Sequence, residues 1–143
     1  MSRALLDVNV LIALLDEEHA DHPLARSWLE EEIGQGWASC ALTQNGVVRI
    51  LSQPRYPNTV SPSEIVSRLR DATETEFHEF WPCDLSLLDV DRVEISRLHG
   101  PKQVTDVYLL ALAVLQGGRF VTFDRSIPLE AVRGVEPGHL VLL

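Results

Sequence analysis

Along the chain, short apolar runs alternate with longer segments in which apolar positions recur every three or four residues, the periods of buried strands and amphipathic helices. Residues 3–6 read as a strand, and 9–15 as a short helix opened by the corner from Asp7 to Asn9. Asp21, His22 and Pro23 start a helix that carries Leu24, Trp28 and Leu29 on one stripe and runs to about Ile33, where Gly34 and Gly36 end it. Residues 37–40 form a second strand, and Thr43 caps a helix through Val47, Val48, Ile50 and Leu51. A Pro-rich loop leads to a helix that begins at Ser61 or Ser63 and ends about Ala72, and the alternating FHEFW segment is a third strand. A helix over 90–98, a loop at HGPKQ, and a strongly apolar helix over 106–116 capped by Thr105 and closed by Gly117 and Gly118 follow. Residues 119–122 and the terminal HLVLL supply the last two strands. Strands that alternate with helices imply parallel pairing, so the expected fold is a three-layer α/β domain with about five strands, spanning residues 1–143 as one unit.

Composition narrows the possible partners. A net charge of -9 and a pI near 4.9 exclude a protein that holds nucleic acid by bulk electrostatics, which requires cationic neutralisation of phosphates. Local positive charge is still available, because all the basic residues except Lys102 are Arg, whose planar fork matches phosphate. Cys40 and Cys83 have neither CxxC spacing nor a histidine cluster beside them, and read as buried free thiols of a reducing, cytoplasmic compartment. Asp7 and Asn9 interrupt the N-terminal apolar stretch, which is therefore no secretory leader, and no run is long enough for a membrane span.

The chemistry sits at three similar corners. Asp7, Asp106 and Asp124 each end a short apolar strand-like run and open a helix-like one. In an open parallel sheet the carboxyl ends of the strands share one edge, where ligands bind, so residues far apart in sequence meet there. Any one aspartate at such a corner is explained by helix capping. Three together are not, since apposed carboxylates need a cation or a proton to coexist and Ser, Thr or Asn would cap without repulsion. Asp124 follows Thr122 at a two-residue spacing that directs both side chains to the same side. A phosphatase using Asp7 as nucleophile is a competing reading, weakened because the usual second aspartate two residues on is Asn9. His19, His22, His99, Arg55 and Tyr56 have plainer explanations as loop and helix-start residues.

Together DVNVLIALL, TQNGVVRIL, TDVYLLALA and VTFDR resemble the PIN domain, and more narrowly the VapC toxins of bacterial type II toxin–antitoxin systems. That resemblance implies a ribonuclease dependent on Mg2+ or Mn2+, an antitoxin partner that blocks the site, an RNA substrate and commonly a homodimer. It places Asp7, Asp106 and Asp124 as metal-binding and catalytic acids, with Asn9, Thr122 and Arg125 beside them. The family's remaining acidic position, usually Glu, falls at Asn45, an amide that can ligate a hard cation without adding charge. Arg49, one turn after Asn45, is a candidate phosphate contact. The alternative implied function is a catalytically weak PIN scaffold that acts by binding RNA or protein.

Overall fold

A computed structural model describes residues 2–143. Five short parallel strands form its centre: β1 (Ala4–Leu6), β2 (Trp37–Cys40), β3 (His78–Trp81), β4 (Arg119–Thr122) and β5 (Leu140–Leu142), in the spatial order β3-β2-β1-β4-β5. Leu5 lies opposite Ala38 on one side and Phe120 on the other. The inner strands are buried on both faces, so successive residues serve two separate cores. Leu5, Ala38, Cys40 and Phe120 pack against α5 (Val104–Leu115), whereas Ala4, Leu6, Trp37 and Val121 pack beneath α1 (Val8–Leu15), α2 (His22–Glu32), α3 (Ala41–Leu51) and α4 (Pro62–Thr73). This is the three-layer arrangement that an α/β alternation requires, and it explains the near-continuous apolar runs of the strands.

Local chemistry sets the boundaries. Ser61 caps α4 by accepting a hydrogen bond from the Glu64 amide, with Pro62 at the first position, and Gly117 takes φ 69° in the turn after α5. α3 begins at Ala41, two residues before the expected Thr43 cap. Cys40 is at the cap position, and the Thr43 hydroxyl reaches back to accept from its amide at 3.0 Å.

Two further expectations are corrected. No α-helix forms over 90–98: the Asp89 carboxylate accepts from the Asp91 amide, Val93 makes an antiparallel bridge to Val132, and only Ile95–Arg97 makes a 3-10 turn. The Glu94 and Arg133 amides donate to the carbonyls of Ala131 and Arg92, so cross-chain pairing takes the backbone groups a helix would use. Cys83 is exposed rather than buried, although both thiols are free as expected. Among the described residues no helix is long and apolar enough to cross a membrane.

Candidate active site at the carboxyl edge of the sheet

β1 and β4 are neighbours, so the residues that leave their carboxyl ends emerge side by side. Asp7 follows Leu6 directly. Its amide donates to the Val121 carbonyl at 2.9 Å, which continues the β1–β4 pairing for one more residue. It then turns the chain into α1, its Oδ1 accepting from the Val8 amide at 2.7 Å. Its Oδ2 accepts from the Thr122 hydroxyl at 2.6 Å. Thr122 Oγ1 also accepts from the Asp124 amide at 3.0 Å and from Asn9 Nδ2 at 3.4 Å. One fully buried hydroxyl thus fixes Asp7 and sets the path of the backbone into Asp124.

Asp124 is held from its other side by Ser126, whose amide and hydroxyl both donate to Oδ1, at 2.9 and 2.7 Å. Sequence reasoning missed Ser126. The available signal was the Asp-Arg-Ser spacing, since an Asp side chain commonly accepts from the amide two residues on. Asp106 arrives from the opposite face of the sheet on the first turn of α5. That helix starts at Val104, and Gln103 rather than Thr105 occupies its cap, so Asp106 lies within the positively polarised first turn and its carboxylate is not needed for capping.

The electrostatics join the three acids. Burial, a hydrogen bond with Asp124, and the charges of Asp7 and Asp124 push the Asp106 carboxyl up to about 8. The same hydrogen bond, with the two from Ser126, holds Asp124 below the usual carboxylate range. The two shifts run in opposite directions, as expected of neighbouring carboxyl groups that titrate together. Burial raises Asp7; the Thr122 and Val8 hydrogen bonds oppose that rise, and the Asp124 charge adds to it. Three carboxyl groups close enough to act on one another's ionisation form an all-oxygen donor set that favours a proton or a hard cation.

The structure changes how that set would hold a metal. Among the described residues, no three His, Cys, Asp or Glu side chains converge on one ion position. Asp106 and Asp124 are the direct pair, while Asp7 commits an oxygen each to Val8 and Thr122. This still suits Mg2+, which keeps several waters and is typically held by one or two carboxylates.

The other expected residues are distributed unevenly. Asn9 joins the cluster around Thr122, with Nδ2 on the Thr122 hydroxyl and Oδ1 accepting from the Phe123 amide. Arg125 is exposed and turns toward the chain end, donating to the Leu143 carbonyl at 3.4 Å. Asn45 is exposed and lines a groove between α3 and α4 with Val48 and Arg70; no hydrogen bond links it to the aspartates. α3 nevertheless lies against the first turn of α1: a Cβ at Gly46 would stand 2.7 Å from Val8 Cγ2. Arg49 is exposed and in no ion pair among the described residues. His22 Nδ1 contacts the Ala13 carbonyl, and the Tyr56 hydroxyl donates to Asp16, so both tie α1 to its surroundings, away from the acidic crevice.

Residues 4–133 match the PIN domain model. The chain belongs to the PIN-domain family. Within that family it groups with the VapC proteins. It is 60% identical over 141 residues, 99% of both chains, to the protein named Ribonuclease VapC44 from Mycobacterium tuberculosis. It is 37% identical over 133 residues, 92% of this chain and 96% of the other, to Ribonuclease VapC39 from the same organism. A solved structure of VapBC2 from Rickettsia felis, bound to a DNA fragment from their promoter, superposes with TM-score 0.59 over 98% of this chain and 96% of that one. At 11% identity that likeness establishes the PIN-like fold alone. The β3-β2-β1-β4-β5 sheet flanked by helices is thus the PIN architecture expected from the sequence.

Proposed function

We propose that the chain is the toxin of a type II toxin–antitoxin pair and acts as an Mg2+- or Mn2+-dependent endoribonuclease. The carrying observation is the Asp106–Asp124 pair beside buried Asp7, an arrangement that needs a cation or a proton. The 60% identity to a protein named as a VapC ribonuclease supports the reaction class.

Asp106 and Asp124 would hold the cation, and Asp7 would add the third negative charge. When bound, the ion would supply Lewis-acid polarisation of the scissile phosphate and lower the pKa of an attacking water. Thr122 donates to Asp7 and Ser126 donates to Asp124, which orients both carboxylates, and an oxygen of the carboxylate pair would orient the water for attack. Exposed Arg49 and Arg125 provide local positive charge on an otherwise acidic molecule. Loops of tRNA or rRNA are the fitting substrates, because their backbone is reachable without opening a duplex. A small antitoxin would block the crevice with a basic side chain, which the charge of -9 favours, and the active form would be a cytoplasmic homodimer. Asn45, in place of the usual Glu, is the feature that favours the second reading, a weakly catalytic scaffold that binds RNA or protein.

Induced expression is expected to arrest bacterial growth, and co-expression of the small protein encoded beside it to relieve the arrest. Asp106→Asn should accumulate as soluble protein and leave growth unaffected. Normal growth at high levels of folded parent protein would contradict the toxin reading.

A further inference from the structure

Gln103 occupies the N-cap of α5, yet its side chain makes no capping hydrogen bond. A cap residue ordinarily spends its side chain on the orphan amides of the first turn. Here the amide group crosses to another segment: Nε2 donates to the Ser126 carbonyl at 3.1 Å, while Oε1 accepts from the His99 amide at 2.9 Å. Ser126 is the residue that grips Asp124 with both its amide and its hydroxyl. Three residues after Gln103, in the first turn of α5, comes Asp106, close enough to Asp124 to feel its charge. Two segments carrying opposed acids, one from each face of the sheet, are therefore joined by a neutral side chain that contributes no charge of its own.

The structure assigns Gln103, we infer, as a positioning residue that sets the separation of Asp106 and Asp124 and through it the affinity of their cation site; this rests on the metal-dependent reading above. The physical reason is the rearrangement that a cation would otherwise demand of the two segments. Without a tie, the first turn of α5 and the loop after β4 are free to shift apart, and a cation must then draw the two carboxyl groups together at a cost in binding. A bridge from the α5 cap to Ser126 reduces that reorganisation, as supporting residues do around metal ligands. Gln is suited to the task because one amide offers a donor to Ser126 and an acceptor to His99.

The test compares the full-length parent with Gln103→Ala and Gln103→Glu. Glu keeps an acceptor for the His99 amide but has no donor for the Ser126 carbonyl. Two readouts are taken across an Mg2+ titration: the rise in melting temperature, and the Mg2+ concentration that half-saturates RNA cleavage. Both variants should need about tenfold more Mg2+ at half-saturation and show a smaller metal-induced rise, with an unchanged metal-free melting temperature. Unaltered Mg2+ dependence in the variants beside a parent that cleaves and is stabilised by Mg2+ would overturn the assignment and leave the nuclease reading standing. A lower metal-free melting temperature with the parent's Mg2+ requirement would reduce Gln103 to a loop tie, and also overturn it. A parent that neither cleaves RNA nor responds to Mg2+ would bring down both.

Discussion

Asp106→Asn is expected to lower RNA cleavage by roughly 100-fold or more, the scale set by losing a charged group at a metal site, while the metal-free protein melts no lower than the parent. The reason lies in the raised pKa of Asp106. Its folded pKa is pushed up to about 8, above the ordinary 3.8, so between those limits the folded state binds a proton that the unfolded chain has released. Stability from this group is full below about pH 4 and is lost as pH rises through about 8. Melts of the parent in EDTA from pH 5 to 9 should show that decline, and Asn, which has no proton to lose, should flatten it. Mg2+ competes with the same proton, so its stabilising effect on the parent should grow toward pH 8. Parallel pH slopes in the two proteins would mean that Asp106 does not face the other carboxylates. Asp7→Asn should behave differently, losing activity and also stability, because Asp7 is buried and accepts from Val8 and Thr122.

Thr122→Val should be the most damaging change that leaves every carboxylate in place. The hydroxyl donates to Asp7 Oδ2 and accepts from the Asp124 amide and from Asn9, all at a position with no solvent exposure to substitute for it. Removing it leaves a buried carboxylate oxygen without its donor, at a cost of about 2–3 kcal/mol of stability. Loss of a group that orients metal-binding carboxylates should also lower activity by roughly 10–100-fold. Thr122→Ser retains the hydroxyl and should recover most of the activity while keeping a packing deficit from the lost methyl. Chemical denaturation and cleavage rates of the three proteins separate these effects; equal activity in Thr122→Val and the parent would remove Thr122 from the site.

Much of this was legible in the chain because the strands and helices carry strong periodicity and because a parallel sheet gathers its carboxyl ends at one edge. Leu5, Phe120 and their neighbours needed only two-sided burial to be recognised, and Asp7 and Asp124 followed from the strands that end beside them. The failures have a common physical cause. Segment 90–98 has a helix-compatible pattern, yet Leu88, Val90 and Ile95 remain exposed and the backbone bonds to residues 131–133, a partner forty positions away that local pattern does not reveal. The α5 cap was misplaced by two residues because the Pro101–Gln103 3-10 turn feeds straight into the helix. Gln103 and Ser126 escaped notice because their roles depend on contacts between loops. Asn45 aligned with a family acid by its position on the helix, but the structure leaves it exposed at the α3–α4 groove.

The most direct test is cleavage of a total tRNA and rRNA pool by the purified chain in Mg2+, in Mn2+ and in EDTA, mapped at nucleotide resolution beside Asp106→Asn. The account predicts cuts at a small set of single-stranded loop positions with either metal and none with EDTA or with the variant. Cleavage that persists in EDTA, or that Asp106→Asn performs as well as the parent, would contradict it.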